Sequence, residues 1–293
     1  MSKQHNAVFL DEAGKPFRVG PLNTKSPGKG EVLIQNKAIA INPVDWKVQD
    51  SGYFLTSFPA VLGEDLAGEI VEVGEGVTRF KPGQRVLAHS QFLANKENEH
   101  GSFQDLVLVP EVSIAHIPDN IKFEDATVLP LALSTAAAGL YQSKDQICLG
   151  LDLPSTSPEK SDKTLLIWGG SASVGTAAIQ LAVASGLTVA TTCSPRNKAL
   201  VEKLGAKAFD YNSTSVVGDL TEELKKGTFV GAYDGELRTL SVARTLELTS
   251  ISNRNTREQY AMWSNYCATR RWHSLISTSP SRRLASKCAS QTR

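Results

Sequence analysis

Residues 164–175, T-L-L-I-W-G-G-S-A-S-V-G, decide the fold of this 293-residue chain. The apolar start predicts a buried strand, the glycines predict a tight turn, and the alanine-rich amphipathic run to Gly186 predicts a helix. Such a turn directs free backbone N–H groups and the positive end of a helix at one place, where a phosphate can bind. The turn matches G-x-G-x-x-G with the small residue Ala172 in the middle position. Glycine turns also serve plain strand–helix packing, so the motif alone leaves that alternative open.

The segment that follows extends the pattern. Residues 187–192 predict a second apolar strand, after which Ser194 is a suitable N-cap and Pro195 suits the first helical position. Gly205 closes this second helix, and a third strand is expected to end near Tyr211. A β-α-β-α-β order with short loops indicates half of a doubly wound parallel sheet.

The end of the second strand indicates which dinucleotide would bind. An NAD-specific site carries Asp or Glu about 20 residues after the glycine turn, where it holds the ribose 2′-hydroxyl. This chain has Cys193, Ser194, Pro195 and Arg196 there, and the first acidic residue beyond is Glu202. A hydroxyl and a guanidinium suit a 2′-phosphate, so we predict NADPH as the cofactor. The alternative is that Ser194 only caps a helix and Arg196 is only solvated.

Composition excludes several classes of function. With 31 basic and 30 acidic residues the net charge is +1, which argues against nucleic acid or an anionic membrane as the main partner. No apolar run is long enough to span a membrane, and the first residues lack a signal-peptide core. The 4 cysteines lie far apart, without a disulfide or zinc-knuckle pattern. We therefore expect a cytoplasmic protein.

The first part of the chain differs in character from the glycine-turn region. It is rich in short predicted strands, such as residues 31–41 and 66–77, separated by glycine and proline turns. This spacing suggests a partly open β-barrel. We place the barrel domain at residues 1–125 and the nucleotide-binding domain at residues 126–234, the latter entered through a helical crossing.

Four ordered motifs between residues 7 and 234 resemble the medium-chain dehydrogenase/reductase superfamily. They are G-E-I-V-E-V-G-x-x-V from Gly68, F-K-P-G-Q-R-V from Phe80, L-P-x-x-x-S-T-A from Leu129, and the glycine turn. The resemblance implies an α/β protein in which a GroES-like β-barrel domain is joined to a Rossmann doubly wound parallel sheet. It also implies an active site in the cleft between the two domains.

Zinc ligands of the superfamily's alcohol dehydrogenases are missing. Those enzymes place a cysteine after the early long strand and a G-H-E motif on the next, whereas this chain has N-P-V-D from Asn42 and L-G-E-D from Leu62. The structural-zinc loop has no counterpart, since residues 90–100 contain no cysteine. Zinc needs three or four converging ligands, so we predict no metal. Reduction of an activated C=C bond or of a quinone requires no such Lewis acid.

Within the superfamily the chain is most similar to fungal trans-acting enoyl reductases that partner polyketide synthases. Three stretches carry this likeness: A-I-N-P-V-D-W-K from Ala40, L-P-L-A-L-S-T-A-A-A-G-L from Leu129, and T-C-S-P-R-N from Thr192. The pair Asp210–Tyr211 adds to it. The implied reaction is hydride transfer from NADPH to the β-carbon of an α,β-unsaturated thioester, followed by protonation of the α-carbon.

The same resemblance assigns site residues by position. The nicotinamide side is assigned to Val44, Asp45, Trp46 and Lys47, and the pyrophosphate to Gly170, Ser171, Ala172, Ser173, Val174 and Gly175. The 2′-phosphate is assigned to Ser194, Pro195, Arg196 and Asn197, and the adenosine end to Tyr211. The implied substrate contacts are Thr135, Ala136, Ala137, Ala138, Gly139, Leu140, Tyr141 and Gln142. Against these assignments, Trp46 could be a core residue, the residues from Thr135 a packed helix, and Tyr211 a strand end.

The sequence identifies the residues that assist the reaction less specifically than those that would bind the cofactor. Negative charge develops on the thioester oxygen, so a donor there would help. Lys47 and Thr135 are the side chains we expect nearest to it, and Tyr53 could stack on the nicotinamide or donate a proton. Lys47 could equally be a plain surface lysine, and no pattern identifies the general acid.

The last 59 residues, 235–293, break with the rest. They hold 10 Ser, 7 Thr and 9 Arg, whereas residues 1–234 hold only 4 Arg. No period of 2 or 3.6 runs through them, so we expect a poorly ordered tail and a sheet that stops near Asp234. A basic interaction tail and a frameshifted gene end, which would truncate the Rossmann domain, are the two interpretations.

Together these observations predict an NADPH-dependent enoyl reductase that acts as a monomer on a carrier-bound polyketide thioester, and a truncated Rossmann domain would inactivate it. Two alternatives remain: a zinc-independent quinone oxidoreductase and a non-catalytic NADPH-binding protein.

Overall fold

A computed structural model of the chain describes residues 3–143 and 148–235 and the backbone of residues 260–261. It divides into two units, of which the first runs to Leu131 and the second starts at Ala132. The division falls inside helix α4, which spans Pro130–Tyr141. Of the predicted tail, only Gly235 and residues 260–261 belong to the described part of the chain.

The first unit is built mainly from short antiparallel strands. Its elements are β1 (Gln4–Leu10), β2 (Arg18–Asn23), β3 (Glu31–Ala40), α1 (Pro43–Ser51), β4 (Ala60–Val61), β5 (Asp65–Val73), β6 (Arg85–His89), α2 (Phe92–Asn95), β7 (Leu106–Pro110), β8 (Ile114–His116) and α3 (Phe123–Ala126). One sheet has the order β7-β3-β5-β6-β8 and a smaller one β2-β1-β4. Alternate residues of the neighbouring strands β3 and β5, such as Ile34 and Ile70, point into one shared core.

The second unit is a parallel sheet with helices on both faces. After α4 come β9 (Lys163–Trp168), α5 (Ser173–Ala184), β10 (Thr188–Cys193), α6 (Lys198–Lys203), β11 (Ala206–Asp210), α7 (Val216–Leu224), β12 (Thr228–Asp234) and β13 (Tyr260–Ala261). The strand order is β11-β10-β9-β12-β13, and every pairing is parallel. This is the order expected for the first half of a doubly wound fold, β9 to β11, plus two further strands.

Strand β9 shows why the sheet is buried on both faces. Leu165 and Ile167 pack with α5, whereas Leu166 and Trp168 pack with α7. Successive side chains of a strand point to opposite faces, so an uninterrupted apolar run satisfies both layers of helices.

The expected end of the sheet needs a correction. We predicted that it stops near Asp234, but Ala232 and Tyr233 of β12 pair with Tyr260 and Ala261. A parallel neighbour needs only the backbone of β12 as its partner, and composition does not report on backbone pairing. The remaining predictions for residues 236–293 lie outside the described part of the chain.

No helix within residues 3–143 and 148–235 is long and apolar enough to cross a membrane.

Candidate functional site

The glycine turn after β9 is fixed by close packing. Gly169 has a positive φ of 78°, and a Cβ on Gly170 would overlap with the Thr191 hydroxyl of β10. The N–H groups of Gly169 and Gly170 donate to Thr192, to its hydroxyl at 3.0 Å and its carbonyl at 2.9 Å. The turn is therefore held against the end of β10 and needs glycine for steric reasons.

Helix α5 begins directly beyond the turn and leaves backbone donors available. Its first helical hydrogen bond runs from Thr176 N–H to the carbonyl of Ala172 at 2.8 Å. The N–H groups of Ser173, Val174 and Gly175 precede it and have no acceptor inside the helix. A Cβ on Gly175 would overlap with the Gly169 carbonyl, so the helix lies close against the turn. Three such donors at the positive end of a 12-residue helix can hold a phosphate.

Ser194, directly after β10, has a buried hydroxyl without a hydrogen-bond partner among the described residues. Its carbonyl accepts the Asn197 N–H at 2.9 Å and so holds the short turn Pro195–Asn197 that leads to α6. Ser194 stands at the predicted N-cap position, directly before Pro195, but its side chain makes no cap hydrogen bond. The segment begins as a 3-10 turn, and the backbone alone closes it. An unsatisfied buried hydroxyl costs about 1–3 kcal/mol, which suits a ligand site.

The other predicted nucleotide residues lie at the same edge of the sheet. Arg196 is exposed next to Ser194, and Tyr211 follows β11, the neighbour of β10 in the sheet. Tyr211 is 42% exposed. The carboxyl ends of parallel strands are where ligands bind in this architecture, and the predicted pyrophosphate, 2′-phosphate and adenosine residues all gather there.

Sequence alone indicated Asp210 at this edge only as part of the resemblance and gave it no role. Asp210 ends β11 in register with Cys193, and one of its carboxylate oxygens accepts the Asn212 N–H at 2.9 Å. Burial raises the pKa of the Cys193 thiol, and the charge of Asp210 adds to the rise. The pairing of β10 with β11 brings the two together over a separation of 17 residues. No local pattern reports such a contact.

The predicted substrate residues, except Gln142, belong to α4, which packs into the core of the second unit. Ala136 and Leu140 are fully buried beside Tyr233, and a Cβ on Gly139 would overlap with the Tyr233 ring. Thr135 is 3% exposed, and its carbonyl accepts the Tyr233 hydroxyl at 3.4 Å. This burial matches the packed-helix alternative that the sequence left open.

The C-terminal end of α4 is tied down as well. The Tyr141 hydroxyl donates to the Leu181 carbonyl and contacts the Ser185 hydroxyl, both at 3.0 Å, so it joins α4 to α5. Gln142 accepts a hydrogen bond from the Cys148 thiol at 3.6 Å. The roles of Ala137, Ala138 and the other α4 residues toward a substrate stay predictions.

The predicted nicotinamide-side residues lie on α1 in the first unit. Trp46 is 55% exposed and carries the Lys47 ammonium 5.8 Å from its ring centre, and Val44 is half-buried. Trp46 is therefore not a core residue, which was the alternative interpretation. Tyr53, just past α1, is 58% exposed and stacks on Phe54. Lys47 and Tyr53 are thus both accessible, as donors to a ligand must be.

A group of buried acids, which we call the buried carboxyl cluster, accompanies α1. It consists of Asp45, Glu64 and Asp65 together with His89. Asp45 accepts the Asn42 N–H at 2.7 Å and closes the N-terminus of α1. Burial raises its pKa to about 7, and the charges of Glu64 and Asp65 push in the same direction. The motifs N-P-V-D and L-G-E-D contain these acids, but sequence alone showed only which zinc ligands they replace.

The described residues contain no group of three or more His, Cys, Asp or Glu side chains arranged to hold a metal ion.

Similarity to known proteins agrees with this architecture. The alcohol dehydrogenase GroES-like domain family matches residues 28–119. Trans-enoyl reductase tazE of Aspergillus terreus is 38% identical over 232 residues, which cover 77% of this chain and 75% of that protein. The chain belongs to the medium-chain dehydrogenase/reductase superfamily. The GroES-like domain and the Rossmann-like parallel sheet predicted for this superfamily are thereby confirmed.

Two further matches describe its place within the superfamily. Trans-enoyl reductase himH of Aspergillus japonicus is 44% identical over 217 residues, covering 74% of this chain and 62% of that protein. A solved alcohol dehydrogenase superfamily protein from Novosphingobium aromaticivorans is 29% identical with a TM-score of 0.69, covering 83% of this chain and 69% of that one. The chain spans 60% to 62% of the length of several curated relatives that it matches.

Proposed function

We propose that this chain is an NADPH-dependent enoyl reductase that acts on α,β-unsaturated thioesters carried by a polyketide synthase. The observation that carries the cofactor part is the unpartnered, buried hydroxyl of Ser194 beside the glycine turn. The similarity to fungal trans-enoyl reductases supports the substrate class.

The residues at the sheet edge fit a dinucleotide phosphate. The N–H groups of Ser173, Val174 and Gly175 would hold the pyrophosphate, and the absent side chain of Gly170 lets the turn lie close to β10. A 2′-phosphate bound here would accept a hydrogen bond from the Ser194 hydroxyl and form an ion pair with the exposed Arg196 guanidinium. The edge thus offers both kinds of donor that distinguish NADPH from NADH.

When bound, NADPH supplies the hydride for the reduction. The protein's own part is to orient the thioester and to stabilise the negative charge on its oxygen. We assign that stabilisation to Lys47, whose ammonium is exposed on α1, with Tyr53 as a second donor. Thr135 is the candidate with the weakest case, because it is buried against β12.

The test measures binding and turnover side by side. NADPH affinity is followed by fluorescence, and NADPH oxidation is then assayed with a crotonyl thioester and, separately, with a quinone. We expect tight NADPH binding and oxidation that depends on the thioester. Turnover of the quinone alone would identify a quinone oxidoreductase, and binding without either turnover would identify a non-catalytic NADPH-binding protein.

A further inference from the structure

Two of the three acids in the buried carboxyl cluster, Asp45 and Asp65, hold backbone N–H groups at helix termini, whereas Glu64 contacts a histidine. Asp65 accepts the Asn42 side-chain amide at 2.8 Å and the Leu131 N–H at 2.7 Å, so each oxygen binds a different segment. Asp45 accepts the Asn42 N–H and closes α1. Both acids therefore have structural roles, because each holds a backbone N–H of a helix terminus.

Glu64 instead faces an imidazole. Its carboxylate oxygen lies 3.3 Å from Nε2 of His89, and the two side chains are 4% and 12% exposed. The histidine ends β6 opposite Asp65, the residue that follows Glu64, so the strand pairing brings its ring to the start of β5. The pair thus joins a nearly buried carboxyl group to a ring that is somewhat more exposed.

The backbone around Glu64 is rigid. Gly63 has a φ of 100°, and a Cβ there would overlap with Ser102 and Phe103. The carbonyl of Glu64 accepts the Ser90 N–H at 2.7 Å. The carboxyl group is therefore held in place rather than carried on a mobile loop.

The charged groups around Glu64 come from several elements. His89 on β6 and Lys96 after α2 favour its ionised form, whereas Asp65 on β5 opposes it, and Asp45 on α1 is close enough to sense the charge of Glu64. Burial dominates these effects and raises the pKa of Glu64 above its ordinary value. A carboxyl group of this kind can keep a proton at pH values where an exposed glutamate has lost it.

We propose that the Glu64–His89 pair supplies the proton that completes the reduction, an inference that rests on the enoyl reductase function proposed above. Reduction of the β-carbon leaves an enolate whose α-carbon must gain a proton. Glu64 is close enough to Asp45, in the first turn of α1, for its charge to act on that residue, and residues 44–47 of this turn are those assigned to the nicotinamide side. His89 then connects Glu64 to solvent.

The proton balance is simple. The O–H bond of Glu64 breaks as a C–H bond forms at the α-carbon, which leaves Glu64 as a carboxylate. The carboxylate takes the proton on Nε2 of His89 while Nδ1 of the same ring takes one from a hydronium ion, and tautomer exchange of the ring through solvent then restores the Nε2–H. The pair ends in its initial state, and the only reactants consumed are the substrate, the hydride and one solvent proton.

The first test needs neither substrate nor cofactor. Infrared difference spectra between the wild-type chain and Glu64→Gln at neutral pH report whether Glu64 carries a proton. We expect the wild type to show a carboxylic-acid C=O band that shifts in D2O and is absent from Glu64→Gln. A difference spectrum containing only a carboxylate band would overturn the proposal.

The second test separates protonation from binding. We expect Glu64→Gln to lower kcat for the crotonyl thioester roughly 100-fold, the lower end of general-acid contributions. KM and NADPH affinity should stay near the wild-type values, and the pH profile of kcat should lose the limb that Glu64 produces. Glu64→Asp should restore part of the rate, and imidazole in the buffer should restore part of the rate of His89→Gln.

A matched control is available in the same unit. Glu31 and His100 form a second glutamate–histidine pair, 2.9 Å apart, so Glu31→Gln makes the same chemical change away from α1. It should leave kcat and its pH profile unchanged. Equal activity of Glu64→Gln and the active wild type would overturn the relay alone. A wild type that binds NADPH without reducing the thioester would overturn the proposed function, and the relay with it.

Discussion

The sheet edge of the second unit and the buried carboxyl cluster of the first differ in whether a buried polar group has hydrogen-bond partners. At the sheet edge, the hydroxyl of Ser194 is buried without a partner, although its neighbour Thr192 binds the glycine turn. In the cluster, Asp65 has a donor on each oxygen. A satisfied buried group explains how the fold is held, whereas an unsatisfied one indicates where a ligand completes it.

The largest effect on stability is expected from adding a side chain at Gly175, where helix α5 packs closely against the glycine turn. Gly175→Ala would place a methyl group against the backbone of Gly169 and Gly170, which cannot rotate away. We expect a loss of about 3 kcal/mol in the free energy of unfolding, at the upper end for overpacking, together with loss of NADPH binding. Urea unfolding and cofactor titration measure both.

Gly218 offers the control, because it lies inside α7 with open space around it. Gly218→Ala should raise the free energy of unfolding by up to about 1 kcal/mol, since alanine is the better helix former. If Gly175→Ala were as stable as the wild type, the close packing of turn and helix would be refuted.

The cluster should make stability depend on pH. The pKa of Asp45 is about 7 in the folded chain against 3.8 as its ordinary value. Its contribution is therefore fully present below about pH 4 and is lost as pH rises to 7, so the free energy of unfolding should fall over that window by up to a few kcal/mol. Urea unfolding at a series of pH values measures this.

Asp45→Asn should reduce the dependence of the free energy of unfolding on pH, because an amide does not titrate. The fold should be kept, since the amide oxygen can still accept a hydrogen bond from the Asn42 N–H. Asp50→Asn, an exposed change on the same helix, should leave the curve as it is in the wild type. Identical pH profiles for Asp45→Asn and the wild type would contradict the assignment.

The hydroxyls of Thr192 and Ser194, two positions apart, allow the effects on stability and on cofactor affinity to be compared. Ser194→Ala removes a group without a partner, so stability should stay the same or rise by up to about 1 kcal/mol while NADPH affinity falls. Thr192→Val removes the acceptor of the Gly169 N–H and should cost about 1–2 kcal/mol of stability. Parallel unfolding and binding curves decide, and a destabilised Ser194→Ala would show that the hydroxyl serves the fold.

The smallest effect is expected from metal removal. The zinc ligands of the alcohol dehydrogenases are absent from the sequence, and the described residues offer no group of ligands in their place. Dialysis against a chelator should leave Tm and cofactor affinity unchanged, and elemental analysis should find no stoichiometric zinc. One zinc per chain would contradict the assignment to the zinc-independent branch.

The sequence predicted best those features that depend on neighbouring residues. Strand β9, the glycine turn and α5 follow from apolar runs and from glycines whose side chains would overlap with backbone. The barrel strands β3 and β5 were visible for the same reason, since alternation and turn residues are local.

Features built by distant segments were not predictable in this way. The packing of Thr135 against Tyr233 and the pairing of Glu64 with His89 depend on strand order and register. The sequence placed Ser194 at the N-cap position but did not show what its side chain does, because the local pattern allows both a capping and a ligand-binding hydroxyl.

The central claim is that the edge formed by the glycine turn, Ser194 and Arg196 binds the 2′-phosphate of NADPH. Fluorescence titration of the wild type, Arg196→Ala and the control Lys203→Ala with NADPH and NADH tests it most directly. We expect the wild type to prefer NADPH, and Arg196→Ala to lose about 1.5–3 kcal/mol of NADPH binding while NADH binding stays unchanged. Equal affinity of the wild type for the two cofactors, or an equal loss for both in Arg196→Ala, would contradict the claim.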